Sequence, residues 1–425
     1  MTSFTVDAYQ NEYLPLGGSE VNAIVTVTSD GAGRPAGGPD AAEVVIVDTS
    51  GSMGAPGAKI KAAREATSAA IDCIRDGVAF AVIEGRDRAD VAYPDGMRLV
   101  PASAQTREEA KRAVAHLNAG GGTAMGKWLT LAGDLFATEP GRICHAILLT
   151  DGQNQSEQPE QLTQALERVQ GRFQCDCRGV GTDWEVSELR HIASTLLGTV
   201  DIIAHPRDMA GDFQAMMEKA MGKSTGNVSL RVWTPQGATV AFVRQVAPSI
   251  EDLTDRGVVV NELTADYPTA TWGSEARDYH ICIDVPPRDA GEEMLAGRVT
   301  LVEGDQPLGQ ALLRATWTED RHLSTRINRE VAHYTGQAEL ADCIQEGLEA
   351  RKHGDPATAT FKLGRAVQLA AASGNDGTLK LLAAVVDVDD AATGTVRLRR
   401  DVAIVDEMSL DTRSTTTVRV GSSTV

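Results

Sequence analysis

Between residues 41 and 223, short aliphatic runs alternate with longer stretches in which apolar residues recur every three or four positions. Residues 42–47 (AEVVIV), 78–83 (VAFAVI), 144–149 (CHAILL) and 173–180 (FQCDCRGV) read as strands apolar enough to be buried on both faces. Between the first two, Ile60, Ala63, Thr67, Ala70, Ile71 and Ile74 recur at helical spacing, which predicts a crossover helix with one buried face. Further helices are predicted over 106–116, 124–136, 159–170, 185–197 and 208–221. Strand and helix in alternation predict an α/β domain over 41–223, a doubly wound parallel sheet covered on both faces.

The pattern changes after Gly222. Residues 228–232, 240–246 and 279–285 alternate apolar and polar positions between Gly, Pro and Asp turns, which predicts an antiparallel β-sandwich over 226–320. Residues 4–27 also read as strands, and the stretch 29–40, rich in Gly and Pro, reads as flexible. Strands within 1–40 that pair with the later sandwich would make the α/β domain an insertion in a β domain. Residues 328–388 return to helical periodicity, with Leu340, Ile344 and Leu348 on one face and Phe361, Ala366, Val367 and Ala370 on another. Gly354-Asp355-Pro356 breaks the two helices into an α-helical hairpin, and 338–372 resembles a single tetratricopeptide-like unit. Residues 389–425 read as a poorly ordered tail.

Charge and composition narrow the partners. With 425 residues and a formal net charge of −19, the surface repels phosphate backbones and anionic lipid, so no nucleic acid and no membrane insertion are expected. The first ten residues have neither a basic start nor an apolar run, and a cytoplasmic location is expected. Six cysteines form neither a dense disulfide framework nor a zinc spacing, and Cys73 and Cys144 read as core residues. The lone His145 reads as a satisfied core or surface residue, and the charged stretch around Glu84, Arg86, Asp87, Arg88 and Asp90 as a solvated loop.

The candidate chemistry lies at the end of the first α/β strand. Val44–Val47 runs into Asp48-Thr49-Ser50-Gly51-Ser52, which sets a carboxylate and two hydroxyls on the carboxyl-terminal loop of a parallel strand, where open α/β sheets bind ligands. Hard cations such as Mg²⁺ take oxygen ligands in near-octahedral array, and this loop offers three at close spacing.

Asp48-Thr49-Ser50-Gly51-Ser52 resembles the Asp-x-Ser-x-Ser element of the metal-ion-dependent adhesion site in von Willebrand factor type A domains. Gly120-Gly121-Gly122-Thr123 resembles the family's glycine-rich threonine loop, and Leu148-Leu149-Thr150-Asp151-Gly152 its strand-terminal aspartate. The resemblance, to a bacterial-type intracellular member, covers roughly residues 42–222. It implies a site in which Ser50, Ser52 and Thr123 reach a divalent cation by hydroxyl, with Asp48 and Asp151 acting directly or through water. Mg²⁺ is the expected ion, Mn²⁺ or Ca²⁺ the alternatives. The implied function is recognition of a protein ligand presenting Asp or Glu, without catalysis.

Other classes fit less well. Gly121 to Lys127 nearly reads as a phosphate loop, but Trp128 stands where Ser or Thr should follow the lysine. Ser50 and Ser52 lack the first glycine of a nucleophile elbow and a suggestive histidine, which disfavours a hydrolase. The remaining alternatives are a scaffold or adaptor for a separate AAA-type ATPase or a kinase-signalling system, and a metal-dependent hydrolase, against which stands the lack of a second carboxylate cluster to supply a general base. Thr412 and Ser414–Thr417 beside Arg413 suggest a phosphothreonine-reading partner for the tail.

Overall fold

The structure, a computed structural model, describes residues 3–30, 40–54, 57–226 and 228–420. Most of the expected Gly- and Pro-rich stretch, residues 31–39, lies outside them. The chain divides into two compact units. One comprises residues 31–226 with Ala270–Gly273; the other comprises Thr2–Asp30, Asn227–Thr269 and Ser274–Val425.

The first unit is built on a sheet ordered Val200–Ile203, Gln174–Val180, Ile143–Thr150, Ala41–Asp48, Ala79–Gly85, Ala89–Tyr93. The first five strands run parallel; Ala89–Tyr93 and the short Val100–Pro101 pair antiparallel with Ala79–Gly85. All eight residues of the central strand Ala41–Asp48 are buried, which explains its unbroken apolar run. Its Val45 and Val47 share a core with Ala63, Ala66 and Ala70 of helix Ala58–Cys73, with Phe213 and Met217 of Met209–Met221, and with Ala110 and Val114 of Ala104–Ala115. Val44 and Ile46 face the other way and are equally buried. Helices Met125–Phe136 and Pro159–Val169 pack so closely that a Cβ on Gly133 would lie 2.7 Å from Val169. From Ala41–Asp48 the chain steps to Ala79–Gly85 on one side and then crosses to Ile143–Thr150 on the other, so a topological switch point flanks the central strand.

Three strands of this unit escape the sequence pattern, the two-residue Val100–Pro101 among them. Val200–Ile203 is only four residues long, and half of it is not buried. Ala89–Tyr93 falls in the stretch expected to be a solvated loop; instead Glu84 pairs with Asp90 and Gly85 with Ala89 across a hairpin. The cysteine expectation also needs correction, since Cys73 and Cys144 are only half-buried, while Cys175, Cys177, Cys282 and Cys343 are buried; all six are free thiols.

The second unit is a sandwich of two sheets. Glu20–Ser29 lies between Phe4–Gln10 and Glu275–Asp284, antiparallel to both, in a register that runs from Glu275 opposite Ser29 to Asp284 opposite Glu20. Thr239–Ala247 and Glu251–Asp252 complete that sheet. The other sheet is ordered Val258–Asn261, Thr264–Pro268, Val228–Trp233, Glu293–Glu303, Gln306–Thr318, Tyr13–Pro15. The opening segment thus contributes to both sheets of a domain whose remaining strands lie some two hundred residues later.

Helices Arg329–Lys352 and Pro356–Ser373 form the hairpin. Gly354 has φ +73°, Asp355 caps the second helix through the Thr358 amide, and Pro356 occupies its first turn, so each residue of the break has a distinct mechanical role. A third helix, Asp376–Val385, continues it. The expected tail is corrected for its described part. Val386–Asp390 pairs with Thr395–Leu398, and helix Ile404–Thr412 inserts Leu410 into a core with Leu340, Ile344 and Leu363. The hydroxyl-rich segment 412–417 is packed in part, with Thr416 exposed and Thr415 half-buried. Thr412, Ser414 and Thr417 are buried, and the Thr417 hydroxyl donates to the Val246 carbonyl at 2.6 Å. Beyond it Arg419 makes a bidentate pair with Asp278, whose carboxylate also accepts from Thr26 and Tyr334.

Candidate metal site

The five candidate residues come from three loops at the carboxyl-terminal end of the parallel sheet. Asp48 ends the central strand, and Asp151 directly follows the neighbouring strand Ile143–Thr150. Thr123 precedes helix Met125–Phe136. Backbone bonds hold the Asp48 and Thr123 loops together: the Gly51 amide donates to the Gly121 carbonyl at 3.0 Å, and the Gly120 amide to the Thr49 carbonyl at 2.8 Å. Gly121 sits at φ +80°, a left-handed conformation that favours glycine. At Gly122 a Cβ would lie 2.0 Å from the Ser156 hydroxyl, which itself accepts from the Thr123 amide at 3.0 Å.

Asp48, Ser50, Thr123 and Asp151 are buried, and the side-chain oxygens of Ser50, Ser52 and Asp151 form a linked set. Ser50 Oγ and Ser52 Oγ are 2.9 Å apart, and Ser52 Oγ donates to Asp151 Oδ1 at 2.6 Å. The Ser50 amide donates to Asp48 Oδ1 at 2.7 Å, and Thr150 Oγ1 to Asp48 Oδ2 at 2.5 Å. A methyl placed on Gly152 would lie 3.3 Å from Ser52 Oγ and 3.5 Å from Thr123 Oγ1, so both hydroxyls border the same small space and glycine leaves it open. Burial pushes the Asp48 carboxyl up to about 6, while hydrogen bonds from Ser50 and Thr150 pull it down.

These residues suit a hard cation. Ligands at adjacent vertices of an Mg²⁺ octahedron with metal–oxygen distances of about 2.1 Å lie about 3.0 Å apart; the Ser50–Ser52 separation of 2.9 Å is close to that edge. Among the described residues no group of three His, Cys, Asp or Glu side chains is placed to hold a metal, so a site here draws on hydroxyl as much as carboxylate oxygen. When bound, such an ion would supply Lewis acidity toward an oxygen anion.

Sequence reasoning overlooked the groups behind this set. Lys59, the second residue of helix Ala58–Cys73, donates to Asp151 Oδ2 at 2.7 Å and to Asp183 at 3.1 Å. Asn154 caps helix Met125–Phe136 through the Met125 amide at 2.8 Å. Arg86 and Glu84, placed in a solvated loop by sequence, are partly buried; they pair with each other and bond the Thr49 hydroxyl at 3.1 and 3.2 Å. The signal for Lys59 was available, because a lysine in the first turn of a helix opposes the helix dipole and calls for an explanation.

The sequence model of the von Willebrand factor type A domain matches residues 42–202, and that of the von Willebrand factor type A C-terminal domain matches residues 368–414. The structure of a von Willebrand factor type A protein from Catenulispora acidiphila is 50% identical, covering 99% of this chain and 98% of its own, with a TM-score of 0.94. The chain belongs to the von Willebrand factor type A family. The inserted unit is its A domain, and the C-terminal match falls on the helices and strand pair that replace the expected tail. The ArnB paralog VWA2 from Sulfolobus acidocaldarius shares the fold over 99% of this chain and all of its own, at 16% identity and a TM-score of 0.63. The human COPII-coat protein Sec24c does so over 89% of this chain and 57% of its own, at 10% identity and a TM-score of 0.54. A search of curated proteins returns no match.

Proposed function

We propose that the A domain holds one divalent cation, Mg²⁺ in the cell, on Ser50, Ser52 and Thr123 with Asp48 and Asp151 behind them, and uses it to capture an acidic side chain of a partner protein. The observation that carries this reading is the linked chain of hydroxyl and carboxylate oxygens at the switch point, bordering a space that Gly152 leaves open. Neutral hydroxyl ligands leave a dication strongly electrophilic, so an incoming carboxylate completes the coordination sphere.

Binding rather than turnover is favoured by what surrounds the oxygens. His145, the buried histidine of the same sheet, is hydrogen-bonded through both ring nitrogens to Glu43 and Asp176 near the opposite end of the strands, so it cannot serve as a base at the rim. We place the protein in the cytoplasm, where Mg²⁺ is abundant and six free thiols remain reduced.

Calorimetric titration of chelator-stripped protein with Mg²⁺, Mn²⁺ and Ca²⁺ tests the reading. The wild type is expected to give a one-site isotherm and Thr123→Ala an affinity lower by roughly 10–100-fold. Equal heats for the two proteins would overturn it.

A further inference from the structure

Each of the four carboxylate oxygens at the site is already engaged. Those of Asp48 accept from the Ser50 amide and the Thr150 hydroxyl, and those of Asp151 accept from the Ser52 hydroxyl and the Lys59 ammonium. Three of these donors are neutral. Lys59 alone brings a full positive charge, and it does so from a buried position, with its side chain 10% exposed.

Nothing in the helix favours a lysine there. Helix Ala58–Cys73 has no acidic residue in its first turn and no side-chain cap, so the ammonium sits at the positive end of an uncompensated dipole. A long cation held in that position, and partly desolvated, must be balanced by carboxylates, and Asp151 and Asp183 are its two partners. Asp183 is largely exposed, whereas Asp151 is fully buried, so the pair with Asp151 is the less screened of the two.

The charge sum follows. Asp48 and Asp151 would neutralise a dication; Lys59 then adds one positive charge among the buried groups, which the exposed and solvent-screened Asp183 offsets only in part. Resting on the metal reading above, we propose that Lys59 is a built-in counter-charge that weakens cation binding and strengthens capture of an anionic ligand by the bound cation. The two effects have opposite signs because both come from one ammonium at a fixed place. A lysine that merely buttressed Asp151 would shift both affinities the same way.

The test compares wild type, Lys59→Met, Lys59→Arg and Asp183→Asn as full-length, chelator-stripped proteins. Mn²⁺ affinity is read by calorimetry, and binding of acetate to the Mn²⁺-loaded protein by water-proton relaxation. Lys59→Met is expected to bind Mn²⁺ roughly tenfold tighter and acetate at least about threefold more weakly, in line with one unit charge removed a few ångströms from the ion. Lys59→Arg should stay near the wild type in both. Asp183→Asn, altered at an exposed side chain and so expected to fold, leaves the ammonium to Asp151 alone; Mn²⁺ binding should weaken about threefold.

Unchanged or weaker Mn²⁺ binding by Lys59→Met, or acetate affinity that rises with it, would overturn the proposal. Should Lys59→Met fail to fold, unchanged Mn²⁺ binding by Asp183→Asn would do so. Absence of Mn²⁺ binding in wild type and Lys59→Met alike is a different result and overturns the metal reading itself.

Discussion

The two ends of the A-domain sheet use the same materials to opposite purpose. At the carboxyl-terminal end, Asp48 accepts from the Thr150 hydroxyl and Asp151 from the Ser52 hydroxyl, which with that of Thr123 borders a small open space. Towards the other end, Glu43 and Asp176 enclose His145, with Nδ1 2.8 Å from Glu43 Oε1 and Nε2 3.0 Å from Asp176 Oδ2. Both ring nitrogens face carboxyl oxygens, an arrangement in which an imidazolium can donate to both. Burial would lower the His145 pKa, yet the flanking carboxylates raise it to about 10. Burial also works against the Asp176 charge, but His145, Arg178 and Thr199 hold its carboxyl well below the usual range. Buried carboxylates therefore do not mark a binding site by themselves. One pair is bridged by a histidine between its two carboxylates; at the other, Asp151 is held by Lys59 and it is the neighbouring hydroxyls that border an open space.

Breaking the closed end should have the largest effect on folding. His145→Ala leaves two buried carboxylates without their common partner, and a loss of roughly 3–5 kcal/mol is expected in urea unfolding. Mg²⁺ affinity of the folded protein should not change; a large shift would mean that the two ends are coupled.

Titration attacks the same cluster more gently. The folded-state His145 pKa lies above the unfolded value near 6.5, so its contribution is complete below pH 6.5 and is lost as the pH rises through about 10. The melting temperature of chelated protein should fall between pH 7 and 10, and His145→Gln should flatten that slope. A slope identical in the two proteins would remove His145 from the account.

At the open end the sign reverses. Burial works against the Asp48 charge, so Asp48→Asn should stabilise the chelated protein by roughly 1–3 kcal/mol while abolishing Mg²⁺ binding, a trade expected where function retains a strained charge. Loss of both stability and binding would show that Asp48 mainly holds the loop. The smallest effect is expected from Arg88→Ala, since Arg88 and its partner Asp90 are both mostly exposed and salt screens them. No measurable change in melting temperature should follow.

The strands and helices of the A domain were legible because each keeps one period throughout: the unbroken run at residues 42–47 and the 3.6-residue spacing from Ile60 to Ile74 leave little room for another reading. Val200–Ile203 was not, because four residues are too few to show a period. The hairpin at Gly85 and Ala89 was hidden by its charges, which read as solvent-facing although Glu84 and Arg86 fold back on Thr49. The five oxygen-bearing residues were legible as a motif; their supports were not, since Lys59 and Asn154 lie outside the elements that carry the resemblance and Thr150, though inside one, is not among its ligand positions. The last helix failed for a related reason. Ile404–Thr412 buries little besides Leu410 and Thr412, so its sequence carries scarcely any amphipathic signal.

The pairing of Glu20–Ser29 with Glu275–Asp284 has a consequence for biosynthesis. A ribosome adding about 5–20 residues per second needs roughly 12–50 seconds to travel from one strand to the other. Throughout that interval the nascent A domain can collapse on its own contacts, while the strand ahead of it can pair with Phe4–Gln10 on one edge and waits with the other edge bare. Slowing translation over residues 30–275 should therefore increase aggregation of the full chain, and a holdase that covers extended segments should relieve it.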